Sequence, residues 1–342
     1  MQEAITGEGG GSMRRNRLGS STVEVTELSF GAAAIGNLFT AVEPARAAAA
    51  VDAAWDEGVR YFDTAPHYGL GISERRLGEA LRSRPRDSYV LSTKVGRVLD
   101  PLPVGAAGSG DGPGGLSEGF AVPATHRRRW DFSADGVRRS IEDSLERLGL
   151  DRVDIVYLHD PDDHAHAAFH EAYPALEKLR AQGVVGAIGA GMNQTAMLTR
   201  FLRDTDVDVV LCAGRYTLLD QSALTELLPE AAARGRSVVV GGVFNSGLLA
   251  DPRPGATYDY TAAPLSLLDR ALRIKSVTEG HGVPLRAAAL HYPLAHPAVA
   301  GVLVGTRSPD EVRDAAALLR RDIPDELWAE LRAEGLLTEN GH

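Results

Sequence analysis

The order of apolar segments restricts this chain more than any other feature. Eight short runs rich in Val, Ile and Leu occur at 27–32, 59–63, 88–94, 153–158, 184–189, 207–212, 237–243 and 299–304. Stretches with helical patterning separate them, at 44–58, 72–81, 133–149, 171–182, 194–203, 221–234, 265–282 with 285–294, and 309–319; one more follows at 325–335. The clearest helix opens on Ser133, places Val137, Ile141, Leu145 and Leu148 at spacings of four, four and three, and closes on Gly149. Strands that alternate with helices imply parallel pairing with right-handed crossovers. Eight such units predict a closed (β/α)8 TIM barrel, class α/β. The rival, an open doubly wound sheet, calls for an early glycine-rich G-x-G-x-x-G turn, and none occurs near the N-terminus.

The 342 residues exceed a minimal barrel. The surplus falls in three places: an acidic, Gly-rich leader (1–16, with Met13 a plausible true start), a Gly- and Pro-rich loop from Val95 to Phe132 that includes Gly105 to Gly115, and the C-terminal helices. Residues 17–342 form one barrel domain. A net charge of −10 argues against a nucleic-acid binder and against docking on anionic lipid. The one cysteine, Cys212, excludes an intramolecular disulfide and reads as a small buried hydrophobe. No apolar run reaches the ~20 residues of a membrane span, and Met1 to Ser12 lacks the apolar core of a signal peptide. The cytoplasm is the expected compartment.

Barrel chemistry sits at the C-terminal ends of the strands. Three successive strands carry an ionisable residue there. Asp63 shares the parity of Tyr61, Lys94 that of Ser92, and His159 that of Ile155. Tyr68 stands just beyond the first of these ends. Each alone could be ordinary strand-end polarity, or Asp63 and Lys94 a structural ion pair; together they suit hydride transfer. A carbonyl that accepts hydride needs a proton, and a hydroxyl that loses hydride must lose one. Tyrosine can do both, and an adjacent ammonium favours its phenolate. Tyr68 is therefore the expected acid/base, Lys94 its tuner, Asp63 the anchor of Lys94, and His159 the group that orients the substrate oxygen.

The segments Gly58-Val59-Arg60-Tyr61-Phe62-Asp63-Thr64-Ala65 with Tyr68-Gly69, Ser73-Glu74-Arg75-Arg76-Leu77-Gly78, Ser92-Thr93-Lys94 and Ser144-Leu145-Glu146-Arg147-Leu148-Gly149, with His159, resemble the aldo-keto reductase family. The resemblance runs from about Leu28 to Leu319. It implies a barrel that uses NADP or NAD, with an Asp-Tyr-Lys-His tetrad at Asp63, Tyr68, Lys94 and His159. Within the family, His159-Asp160-Pro161-Asp162, Gly191-Met192-Asn193-Gln194, Gly214-Arg215-Tyr216 and Phe244-Asn245-Ser246-Gly247 look like the sugar dehydrogenase branch (L-fucose or D-threo-aldose 1-dehydrogenases, with pyridoxal 4-dehydrogenase nearby). That branch would oxidise a cyclic hemiacetal at C1 to a lactone.

The last strand leads through Gly305-Thr306-Arg307 into a helix capped by Ser308, with Pro309 in its first turn and Glu311 completing a capping box. Such a helix N-terminus suits a phosphate, and here the family's dinucleotide loop matches. The resemblance places the cofactor against Gly31, Ala32, Asp63, Asn193, Gly305, Thr306, Arg307, Ser308, Glu311 and Asp314. NADP-preferring members often carry cations where Gly305 and Glu311 stand, so the sequence tilts towards NAD, although Glu311 could simply cap its helix and Arg307 could serve NADP. Gly191 and Met192 replace the usual pair at the nicotinamide amide, which leaves Asn193 as a substitute.

Asn37, Phe39, Tyr68, Trp130, His159 and Asp160 are candidate substrate contacts: Phe39 as pocket wall or core, Trp130 as a lid, and Asp160 as a sugar-hydroxyl partner or a local backbone acceptor. His164, His166 and His170 could in principle hold zinc, but a solvated polar loop is the better reading, and no metal is expected. Arg127-Arg128-Arg129 likewise reads as a solvated loop. The expected protein is an NAD(P)-dependent oxidoreductase of a small carbonyl or sugar substrate. The alternative is a nucleotide-holding regulator on the same barrel, which would have no need of the full tetrad.

Overall fold

The computed structural model describes residues 13–103, 118–259 and 261–338. Eight parallel strands close into a barrel: β3 (Leu28–Gly31), β4 (Tyr61–Asp63), β5 (Val90–Val95), β8 (Ile155–His159), β9 (Ala187–Met192), β10 (Val209–Ala213), β11 (Ser237–Gly241) and β14 (Val299–Gly305). Chain order equals barrel order, and β14 pairs with β3 to complete the circle. The connecting helices are α1 (Pro44–Asp56), α2 (Ile72–Leu81), α3 (Ala134–Leu148), α4 (Ala165–Ala167), α5 (Tyr173–Ala181), α6 (Thr195–Asp204), α7 (Leu227–Ala233), α8 (Leu265–Gly280), α9 (Leu285–Leu294) and α10 (Pro309–Leu319); α11 (Asp325–Ala333) follows. None of the described helices is long and apolar enough to cross a membrane.

Two apolar layers result from strand parity. One set of residues, among them Phe62, Val156, Ile188 and Val210, packs outward against the helices. The other, with Ile155, Ala187, Val209, Val239 and Ala300, fills the barrel, where Leu18, Val23 and Val25 join it. Those three come from an antiparallel hairpin, β1 (Arg15–Arg17) with β2 (Glu24–Thr26), that stoppers the end opposite the site. β1 starts within the span read as leader; residues 1–12 lie outside the described residues.

The stretch from Val95 to Phe132 departs most from its reading as loop. Its two ends pair as a hairpin, β6 (Arg97–Pro101) with β7 (His126–Trp130), while Gly105 to Gly115 lies outside the described residues. The three arginines are therefore not a solvated loop. Arg129 bridges Asp100 and Asp131, and the Arg128 side chain is buried. The ladder alternates these side chains across the ribbon and sets Asp100 opposite Arg127, on the face that Arg129 shares. A second small hairpin joins β12 (Thr257–Tyr258) to β13 (Thr261–Ala262). Helix starts also shift where proline intervenes. The helix read at 221–234 is a 3-10 turn at Ser222–Leu224 followed by α7, because Pro229 cannot donate to residue 225. Pro174 similarly sits in the first turn of α5, and a π-turn at Ala168–Ala172 precedes it.

Candidate active site

The C-terminal ends of β4, β5 and β8 bring Asp63, Lys94 and His159 to one end of the barrel. Lys94 Nζ donates to Asp63 Oδ2 at 2.5 Å and to the Thr64 carbonyl at 3.0 Å, and both side chains are buried. Burial would lower the Lys94 pKa, but the Asp63 carboxylate and the Tyr68 hydroxyl outweigh it and leave the pKa raised, so the ammonium persists. Nζ lies 4.7 Å from the centre of the Tyr68 ring. The Tyr68 and His159 rings meet edge to face with centroids 5.9 Å apart.

Tyr68 is set by backbone packing. The turn after it runs through Gly69, Leu70 and Gly71, all with positive φ. A Cβ on Gly69 would stand 2.1 Å from the Gly36 carbonyl oxygen, so only glycine lets the two loops close. Glu74 and Arg147, from the two motifs that do not reach the site, serve the frame. Arg147 Nε donates to buried Glu74 at 2.5 Å, and Thr93 Oγ1 donates to the other carboxylate oxygen at 2.9 Å.

Beneath Asp63 runs a polar column. Ser92 Oγ donates to Asp63 Oδ1 at 2.6 Å, Tyr61 Oη lies 3.0 Å from Ser92 Oγ, and Tyr157 Oη lies 3.1 Å from Tyr61 Oη. Burial pushes both phenols well up, so they stay protonated donors. Ser92, Tyr61 and Tyr157 were not among the expected site residues, although their parity with Lys94, Asp63 and His159 was the available signal.

His159 is held neutral by burial first and then by Arg97, Lys94 and His67, which all oppose a positive charge. Its Nδ1 is buried without a partner, and Nε2 lies 3.7 Å from Asp160 Oδ2. His67 is also held neutral, by burial and then by Arg97, Arg128 and Lys94. Its ring packs edge-on to His159 and to Phe120.

A cavity of about 570 Å³ opens from Tyr68 towards β14 and α10. Of the expected cofactor contacts, Gly31, Asp63, Asn193, Gly305, Thr306, Arg307, Glu311 and Asp314 line it. Ala32 does not: it is fully buried, and its N–H is spent on the Asp63 carbonyl. Ser308 stays beneath as N-cap, accepting from the Glu311 N–H at 3.3 Å. Among the substrate candidates, Phe39 and Tyr68 line the cavity. Asn37 does not, because its amide is occupied by Arg76, the Val42 N–H and the Ala121 carbonyl. Trp130 also stands off it, stacked on Phe132 and covered by Arg97. Asp160 lies beside His159 and takes an ion pair from Arg97. His164 packs with Trp130 and Phe132, and the described residues hold no group of three or more His, Cys, Asp or Glu able to bind a metal.

The cavity fits a dinucleotide. A Cβ on Gly305 would meet nothing nearer than the Gly31 carbonyl at 4.0 Å, so Gly305 leaves the floor open there. Thr306 Oγ1 is buried without a partner beside the N-terminus of α10, where an anion would supply one. Asn193 makes no hydrogen bond among the described residues and reaches the same space.

Residues 27–334 match the Aldo/keto reductase family, and the chain belongs to it. It is an NAD(P)-dependent oxidoreductase that moves hydride between nicotinamide and a carbonyl or hydroxyl carbon. The chain is 48% identical to a D-threo-aldose 1-dehydrogenase of a Pseudomonas species over 92% of its length and 95% of that protein. It is 40% identical to a pyridoxal 4-dehydrogenase of Microbacterium luteolum over 95% and 98%. In structure it resembles an aldo-keto reductase of Bacillus halodurans in its holo form (TM-score 0.72, 26% identity, 96% and 100% coverage).

Proposed function

We propose that the protein is an NAD-preferring aldose 1-dehydrogenase that oxidises a cyclic hemiacetal to its lactone. The observation that carries this reading is the buried Asp63–Lys94 pair beside the Tyr68 ring at the head of the dinucleotide-sized cavity. The cofactor supplies a hydride acceptor when bound. Lys94, kept charged by Asp63, favours the Tyr68 phenolate, which takes the hydroxyl proton as C1 becomes a carbonyl carbon. Neutral His159 donates through Nε2 to the same oxygen and orients it. Ser92 holds Asp63 from below. In the reverse direction Tyr68 returns the proton to a small aldehyde. The two dehydrogenases that resemble the chain across nearly its full length support an aldose or a comparable ring-bearing carbonyl compound.

The preference for NAD rests on α10. Glu311 Oε2 accepts from the N–H of Arg307, one residue before the N-cap, at 2.8 Å, and Glu311 also lines the cavity. Arg307 is drawn to Glu311, 3.9 Å away, and to Thr40. Asp314 is paired with Arg286. Each cation at this end is matched by a carboxylate, and Gly305 adds none, so a 2′-phosphate would find little net attraction.

The test is a panel of aldoses and aldehydes with NAD and NADP, followed by the absorbance of reduced cofactor. Lactone formation with NAD is expected. No turnover of any aldose, or a large preference for NADP, would sink the corresponding half of the reading.

A further inference from the structure

Asp160 directly follows β8 in a left-handed backbone conformation (φ 42°), which aspartate tolerates better than most residues. Its N–H still donates to the Gly191 carbonyl at 3.0 Å, so the ladder to β9 holds while the side chain reaches Arg97. Oδ2 takes the guanidinium of Arg97 and lies 3.7 Å from His159 Nε2, the atom that faces the reacting oxygen in the reading above. Oδ1 enters no hydrogen bond among the described residues, and the side chain keeps 30% of its exposure. A carboxylate with free acceptor capacity on Oδ1 thus stands beside His159, its Oδ2 3.7 Å from Nε2.

Arg97 holds that carboxylate in place. Its guanidinium lies over the Trp130 ring at 4.3 Å, and its NH1 reaches the His67 ring at 3.4 Å. Burial raises the Asp160 pKa and Arg97 opposes that rise, so the arginine also favours the ionised acceptor.

We propose that Asp160 Oδ1 accepts the hydroxyl vicinal to the reacting carbon of a polyhydroxylated substrate, with Arg97 as its positioning residue. The proposal rests on the hydride-transfer reading and gives it a specificity element. Oxygens on adjacent ring carbons stand about a hydrogen-bond length apart. A substrate whose C1 oxygen lies between Tyr68 and His159 would therefore present its next hydroxyl to Asp160. A site built to bond a hydroxyl discriminates against the analogue that lacks it.

The experiment compares D-arabinose, a pyranose with three ring hydroxyls besides C1, with tetrahydropyran-2-ol, the same hemiacetal ring without them, both oxidised with NAD by the full chain. The readout is the ratio of their kcat/KM values, which a change in folding or in the hydride step leaves in place. Asp160→Ala is expected to lower the ratio roughly 10- to 100-fold, the span of one or two charge-assisted hydrogen bonds. Arg97→Met should lower it in the same direction, and Asp160→Asn, which keeps an acceptor oxygen, should recover part of it. A ratio within threefold of wild type in both Asp160→Ala and Arg97→Met overturns the proposal alone. If wild type oxidises neither compound nor any other hemiacetal, the hydride-transfer reading falls and takes this one with it.

Discussion

At the scale of single residues, the site depends on which charges burial permits. Lys94 is buried but charged because Asp63 lies 2.5 Å away; His159 is neutral because it is buried and, after that, because its neighbours are cationic. Tyr68→Phe removes the group proposed to move the proton. It should lower kcat by at least 10³-fold, at the larger end of what a single acid/base supplies, while the dissociation constant for NAD, read by protein fluorescence, stays within about threefold of wild type. Residual turnover close to wild type would reassign the acid/base. The histidines make a second prediction. His67 and His159 both have pKa values lowered in the folded state. The unfolded chain therefore binds more protons below about pH 6.5, and stability falls as pH drops through and below that value. His67→Gln should lose part of this acid sensitivity, seen as a smaller fall in Tm between pH 7.5 and 5.5. Equal falls in variant and wild type would show that His67 carries none of it.

At the scale of elements, motif residues that never touch the cavity hold the helices that aim it. α2 and α3 approach so closely that a Cβ on Gly78 would lie 1.9 Å from the Leu148 carbonyl oxygen. That oxygen belongs to backbone and cannot rotate away, so the two helices must separate. Gly78→Ala should cost about 1–3 kcal/mol, measured as a lower urea midpoint, despite the gain in helix propensity that alanine normally brings. An unchanged or raised midpoint would mean that the helices part without cost. The β6–β7 hairpin also belongs here. Arg97 and Trp130 sit opposite each other at its base, which is how a segment with loop composition delivers a guanidinium to the rim of the site.

At the scale of the whole molecule, closure of the barrel joins β14 to β3 and so joins the two ends of the site. Gly31 and Gly305 become register partners across that seam, and the cavity runs over them from Tyr68 to α10. A ligand held across the seam bridges both ends of the folded chain and should stabilise all of it. NAD at 100 times its dissociation constant should add about 2.7 kcal/mol and raise Tm by several degrees. At equal concentrations NADP should raise it less, and Glu311→Arg should narrow or reverse the difference. A larger shift with NADP in wild type would contradict the charge argument at α10.

Periodicity and local chemistry alone determined the eight β/α units, the parity of Asp63, Lys94 and His159, and the capped helix after the last strand, because each depends on residues close in sequence. The barrel, and the gathering of Asp63, Lys94 and His159 at one end of it, were legible for that reason. Tertiary packing decided the rest. Asn37 looked available until Arg76, 39 positions away, took its amide, and Ala32 until its N–H paired with β4. Trp130 looked like a lid until the hairpin stacked it on Phe132. Ser92 and Tyr61 looked like ordinary strand residues until closure stacked them beneath Asp63. The common cause is physical. A polar group's role depends on which partner satisfies it once water is gone, and across a barrel that partner comes from a distant part of the chain.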